Sequence, residues 1–262
     1  MHPEMAADLE KRFSQWRQRD IGDTLLKTGS LVMKQTDLTN RLWADIYWPL
    51  AQRYYASESD PRVENPLVYH WIDPEEITRW SGRPKAMMSR AEAFGTIRDG
   101  DWDRQSPDYE IWPPEFRDAL VGDPWTDSDF YRSFELRYGE GVSWEETPWV
   151  ETVLDLIADG ETVWQWCETE EDVYDRCEVV DALYDSITES GYKTQHQLHR
   201  EGDEVRYGNF RDILATELTV DIGRNGEYLF VDSKHRLAIA KLLDLDRIPA
   251  IVLCRHADLF GT

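Results

Sequence analysis

Asp232, Ser233, Lys234, His235 and Arg236 place a carboxylate, a hydroxyl, an ammonium, an imidazole and a guanidinium in five consecutive positions. They open the segment FVDSKHRLAIAKLLDLDRIPAIVL (230–253), in which an alanine-rich apolar run follows at once. If the polar five form the first turn of a helix, free backbone N–H groups and the positive dipole end sit beside them. The chemistry this suits is anion binding. A phosphate or carboxylate would dock on the N–H groups, and Arg236 would grip it through two parallel hydrogen bonds. His235 would add a hydrogen bond or pass a proton. The plainer alternative is that Asp232 or Ser233 caps a solvated helix start. The residues alone leave both open.

A second group of carboxylates lies in FGTIRDGDWDRQ (94–105), where Asp99, Asp101 and Asp103 alternate around Gly100 and Trp102. It reads either as a loop that binds a metal or takes a proton, or as a solvated turn on an acidic protein. It lacks the remaining ligands of an EF-hand loop. His196 and His199 are three apart, but no third ligand follows at useful spacing. Cys167, Cys177 and Cys254 fall outside any CxxC or zinc spacing and read as reduced, buried thiols.

The elements that must position the polar five flank them directly. In ELTVDIGRNGEYLFVD (217–232), Leu218, Val220 and Ile222 alternate, Asn225-Gly226 is a hairpin turn, and Tyr228 to Val231 return. After the helix, LDLD turns the chain and Ile248-Pro249 opens a short apolar run to Leu253, a buried strand with its proline near the start. Upstream, LVYHWIDP (67–74) reads as a strand ending at an Asp-Pro turn. Residues 3–20 form a weakly amphipathic helix with Leu9, Phe13 and Trp16 on one face. Residues 37–56 form a stronger one, which Pro49 should kink or divide. SESDPRVENP (57–66) reads as a linker. In the middle, Ser143 and Glu146 fit a capping box, and Thr147 before Pro148 fits an N-cap. Another helix starts at Thr169, with Asp172 three residues on, carries Val173, Cys177, Val180, Tyr184 and Ile187 as its stripe, and stops at Gly191. HQLHREGDEVRYG (196–208) reads as a polar loop.

Composition sets the class. The 262 residues are 41% hydrophobic and unusually rich in Trp and Tyr, twelve of each, enough for a substantial core. Net charge is −23, with acid spread along the whole chain, a pattern expected of salt adaptation in a halophile. Such a surface repels nucleic-acid backbones and anionic membranes. ITRWSGRPKAMMSR, with Arg79, Arg83, Lys85 and Arg90, is the concentrated basic stretch, read as a solvated face or as an approach to the ligand. No run is apolar enough to span a bilayer and no secretory signal opens the chain, so a cytoplasmic protein is expected.

The segment 230–253 resembles the signature of the ParB/sulfiredoxin-like superfamily: an Asp-Gly-x-His-Arg type turn, an alanine-bearing helix, a turn, then Ile-Pro and a strand. LYDSITESGYKTQHQL (183–198) is similar to the family's preceding helix, and 217–232 to its intervening hairpin. LVYHWIDPEEI and the GTIRDGDWD loop match more loosely. The whole looks like ParB-like proteins of haloarchaea. The resemblance implies an α+β fold, a small mixed sheet with packed helices. Residues 1–66 would be an N-terminal helical extension and linker, and 67–262 the domain, with a helical insertion at about 104–168.

Members of the superfamily bind CTP and clamp DNA, use ATP to repair oxidised peroxiredoxin, or phosphorylate small hydroxyl compounds. The resemblance therefore implies a nucleotide (ATP, ADP or CTP) with Mg²⁺, held by Ser233, Lys234, His235 and Arg236. Asp232 would orient the site or its metal, together with Asp101. For phosphoryl transfer to a small hydroxyl acceptor, Asp232, Asp101 or Asp103 would receive the proton. The alternatives are a non-catalytic regulatory or assembly module and a DNA-binding protein. Two positions depart from the pattern. Ser233 replaces a glycine, a strained choice if φ there is positive, and Lys234 replaces the catalytic cysteine of sulfiredoxins. The acceptor and the oligomeric state stay open.

Overall fold

The apolar run after Ile248-Pro249 is the spine of the molecule. In the computed structural model, which describes residues 37–84, 86, 90–107, 124–164, 166–201 and 216–261, it becomes a nine-residue strand buried at all but one position. The strands are β1 (Tyr69–Ile72), β2 (Thr96–Arg98), β3 (Thr219–Ile222), β4 (Tyr228–Asp232) and β5 (Ile248–His256), and they form one mixed sheet. Strand β5 is central. Antiparallel β1 covers the first half of one edge, from Tyr69 opposite Ile251 to Ile72 opposite Ile248, and parallel β2 covers the second half. On the other edge β3 runs parallel to β5, and β4 returns antiparallel beside β3. The outer edge of β4 is closed by the chain at Arg79–Ser81: Ser81 N donates to Phe230 O at 2.8 Å and Phe230 N to Arg79 O at 2.9 Å. Pro249, lacking an N–H, sits second in β5 as expected.

The fold is α+β. Among the described residues there are seven α-helices: α1 (Asp37–Glu58), α2 (Arg90–Ala93), α3 (Asp129–Phe134), α4 (Pro148–Ala158), α5 (Glu170–Ser190), α6 (Gln195–Glu201) and α7 (Lys234–Leu242). They lie on both faces of the sheet, and strand alternation shows which. Phe230, Ala250 and Val252 point into a core with Leu237, Ala238 and Ile239 of α7 and with Trp125, Phe130, Trp149, Val153 and Val180 of the 124–190 helical segment. Leu229, Val231, Ile251 and Leu253 point the other way, onto Tyr47 and Ala51 of α1, Ala93 of α2, and Trp102. A sheet covered twice needs apolar residues at consecutive positions, and that is why β5 lacks alternation in sequence.

Local signals act as read at several points. Thr169 and Asp172 close a full capping box at the start of α5: Thr169 N donates to Asp172 Oδ2 at 2.9 Å, and Asp172 N to Thr169 Oγ1 at 3.2 Å. Gly191 ends α5 with φ +76°. Asp73 caps the short 3₁₀ turn after β1. In the β3–β4 hairpin, Gly226 takes φ +87°, and its N–H donates to Gly223 O at 3.0 Å.

Other readings change. Helix α1 runs unbroken through Pro49, which is exposed. Ser143 and Glu146 join side chain to side chain at 2.8 Å instead of capping backbone, and the turn there is 3₁₀. Thr147 is the N-cap of α4 with Pro148 at its first position, as read, though its hydroxyl donates back to Trp144 O at 2.6 Å rather than capping. Residues 196–201, the start of the stretch read as loop, belong to α6, because Thr194 and Gln197 exchange capping hydrogen bonds that hold its first turn. The stretch 57–66 is tied down: Asp60 N donates to Gly95 O at 3.0 Å, and Val63 is buried. The helix read over 3–20, residues 108–123 of the insertion and the loop residues 202–208 lie outside the described residues.

Candidate functional site

The polar five sit where the sequence placed them, at the junction of β4 and α7. Ser233 adopts φ +81°, ψ +46°, the left-handed region that favours glycine. It makes no side-chain cap; its hydroxyl donates instead to Thr216 O at 3.1 Å. A left-handed residue followed by a helical one turns consecutive N–H groups toward one concave point, a geometry that favours anions. The anion found there is the protein's own: Ser233 N donates to Asp232 Oδ1 at 2.6 Å. The other oxygen of Asp232 pairs with Arg90 of α2, and both side chains are partly exposed.

The three cationic positions then diverge. Lys234 is buried, with its ammonium 4.6 Å above the Trp149 ring and 5.2 Å above that of Phe130. Desolvation strengthens such cation–π contacts. His235 lies in an aromatic cage, stacked on Trp164 at 6.0 Å and edge-on to Phe130 at 5.3 Å. Its Nε2 accepts from Trp164 Nε1 at 3.2 Å, so the neutral ring carries its proton on Nδ1. Burial, with Lys234 and Arg176 nearby, holds its pKa well below the ordinary histidine value.

Arg236 points into the protein. Its Nη1 donates to Thr216 O at 3.3 Å and to Glu217 Oε2 at 3.3 Å, and its Nη2 donates to Lys193 O. The guanidinium lies 4.2 Å from the Tyr192 ring centroid. Glu217 is fully buried and also accepts from Tyr69 Oη and Gln195 N, each at 2.6 Å. Burial raises the carboxyl's pKa against the pull of Arg236 and these donors. The group expected to grip phosphate therefore ties α7 to β1, to the end of α5 and to the start of β3.

The carboxylate loop is held elsewhere. Arg224, in the hairpin turn, donates Nε to Asp103 Oδ2 at 2.8 Å and Nη2 to Asp103 Oδ1 at 2.6 Å, Asp101 Oδ1 at 2.7 Å and Gly100 O at 2.9 Å. His256 Nε2 donates to Gly100 O at 2.7 Å. Hydrogen bonds from Arg224 lower the Asp103 pKa strongly, outweighing burial. The register separates this loop from the polar five: Asp232 lies opposite Thr219, whereas the turn bearing Arg224 lies beyond Ile222, opposite Tyr228. Three residues of strand already span about 10 Å. Asp101 and Asp232 are thus not brought together. Among the described residues no group of three His, Cys, Asp or Glu side chains stands close enough to hold a metal ion. The described residues thus offer no protein-bound Mg²⁺ site. His196 stacks on Trp48 at 5.0 Å and His199 is buried, so neither presents a metal pair. The three cysteines are buried and free, as read.

The basic stretch is also paired off. Arg79 meets Glu227 at 3.2 Å, Arg83 is fully buried against Asp221 at 2.9 Å, and Arg90 meets Asp232. Lys85 lies outside the described residues. Gly82 lets this stretch pass under the carboxylate loop, since a Cβ there would lie 2.0 Å from Gln105 O. Sequence reading missed the roles of Glu217 and of the cage formed by Phe130, Trp149 and Trp164. Their partners lie from 19 to 148 residues away along the chain, and no local spacing marks them.

Among the described residues no helix is long and apolar enough to cross a membrane. Comparison with known proteins gives no match: no family model, curated protein or solved structure is similar to the chain.

Proposed function

We propose that this chain is a nucleotide-binding module of ParB/sulfiredoxin-like type, with its phosphate site at the β4–α7 turn. The observation that supports the reading is the left-handed Ser233 before helical Lys234, a backbone turn that favours anions, with Arg90 paired to Asp232 beside it. Asp232 fills that position as an internal anion. A ligand phosphate would displace it, taking Arg90 and the backbone N–H groups of 233–235 as donors. The resemblance of residues 230–253 to the family signature points to the same turn. Lys234 and His235 support the turn from within the aromatic cage, and Arg236 anchors the helix.

A transferase or NTPase is the narrower reading. Within it, Asp232 is the carboxylate at the turn, and it becomes available as a base only when Arg90 exchanges it for phosphate. Asp101 and Asp103, latched to Arg224, belong to the frame. Titration calorimetry with ATP, ADP and CTP, with and without Mg²⁺ in high salt, tests binding. Wild type is expected to bind one of them, and Arg90→Ala to weaken it at least tenfold. If none binds, or Arg90→Ala binds like wild type, the site is wrong. Binding without turnover over pooled hydroxyl acceptors would favour the module over the kinase.

A further inference from the structure

Arg255 is a half-buried cation without an anionic partner among the described residues. It stands near the C-terminal end of β5. Its Nη2 donates to His70 Nε2 at 3.3 Å, so the His70 ring is a neutral acceptor there and brings no negative charge. Its Nη1 is sealed from solvent and has no hydrogen-bond partner. Burial lowers its pKa, and no carboxylate acts against that. A guanidinium left this way is unfavourable, and the chain has 52 acidic side chains for 29 basic ones with which to pair it.

The register shows what surrounds it. Ile222 of β3 lies opposite Arg255 of β5 on one side and Tyr228 of β4 on the other. The three therefore share one face, with Arg255 and Tyr228 two strand spacings, about 10 Å, apart. Ile222 and Tyr228 pack only partly buried against the larger core, so this row is the rim of that face. Burial and Glu76 raise the Tyr228 pKa while Arg255 and Arg247 lower it, which gathers these charges around one phenol. Arg247 is exposed in the turn before β5, and Glu76 ends the 3₁₀ turn after β1. We propose that this rim is a binding site for a small carboxylate ligand, held by Arg255 and Arg247 with the Tyr228 hydroxyl as a further donor. Two guanidiniums against one Glu76 leave a surplus of one positive charge, which suits a monoanion better than a phosphate dianion. The planar fork of an arginine also matches a carboxylate in geometry. Because Nη1 is enclosed, the ligand enters as a rim side chain swings aside. The site is separate from the β4–α7 turn: Tyr228 and Asp232 are opposite ends of β4, about 13 Å apart.

Thermal melting of the full chain tests this, at pH 7.5 in sodium acetate, sodium phosphate and sodium chloride of equal ionic strength. A ligand that binds only the folded chain raises the melting temperature with its concentration. Acetate is expected to raise wild type over chloride by at least about 3 °C more than it raises Arg255→Met, with Arg247→Gln between the two. In chloride, Arg255→Met is expected to melt no lower than wild type, since it removes an unpaired charge. Arg247 is exposed, so Arg247→Gln spares the fold and decides the case if Arg255→Met does not fold. An equal response of all three chains to acetate would overturn the site. So would an Arg255→Met deficit of the same size in every salt, which would make the arginine structural. A rise specific to wild type in phosphate rather than acetate would overturn the carboxylate assignment.

Discussion

Arg236 and Glu217 form a buried ion pair, Nη1 to Oε2 at 3.3 Å, in which neither side chain reaches solvent appreciably. The arginine read from the sequence as a phosphate ligand thus serves as a tether. Removing one partner leaves the other charged and unpaired in the interior, a cost of about 3–5 kcal/mol. Arg236→Ala is accordingly expected to lower stability by that order in urea denaturation. The double variant Arg236→Met with Glu217→Gln should be destabilised by less than the sum of the singles. Strict additivity would mean the pair is not coupled.

Ser233 sits at φ +81°, where an L side chain is strained by about 1–2 kcal/mol. Glycine removes the strain but also the hydroxyl's bond to Thr216 O. Ser233→Gly is therefore expected to change stability by less than about 1 kcal/mol. Ser233→Val, β-branched and without the hydroxyl, should lose at least about 2 kcal/mol. Equal melting temperatures for the two variants would contradict the turn geometry.

His235 gives a pH signature. Its pKa is depressed in the folded state from an unfolded value near 6.5, because burial and the charges of Lys234 and Arg176 disfavour the imidazolium. Below 6.5 the unfolded chain binds a proton that the folded chain refuses, so stability falls as pH falls. Above 6.5 this contribution is fully present. His235→Gln keeps an acceptor for Trp164 and removes the titration. The gap in denaturation midpoint between wild type and His235→Gln is expected to shift in favour of the variant between pH 7.5 and pH 5. A gap independent of pH would show that the cage does not exclude the charge.

The Arg224 latch separates frame from site. Asp103→Asn weakens two charge-assisted bonds, so amides of 99–103 should exchange faster, and the wild-type stabilisation should begin to decline as pH drops below the ordinary carboxylate value of 3.8 and be lost only below the depressed folded value. Nucleotide affinity should stay within twofold of wild type. A larger loss would place the loop at the ligand after all.

The hairpin, the Ile-Pro strand, the Thr169–Asp172 cap and the stop at Gly191 were legible in the sequence because each rests on neighbours a few residues apart. The positive φ at residue 233 entered only as a condition attached to the resemblance, since a serine does not itself call for it. Helix α6 was missed because its first turn is held by Thr194 and Gln197, polar residues that also suit loops. The unbroken course of α1 through Pro49 was missed because tertiary packing of its flanks outweighs one lost donor.

For the site, the sequence by itself determined which chemical groups stand at the β4–α7 turn and that the chain reverses there. It could not determine where those groups point. A helix start shows successive side chains to different sides at about 100° per residue. Which side meets Glu217, which meets the rings of Phe130, Trp149 and Trp164, and which is left to Arg90 depends on elements brought in from as far as 142 residues away. Tertiary structure made that decision. It turned Arg236 into an anchor, Lys234 and His235 into a caged floor, and left Asp232 and Arg90 as a partly exposed pair.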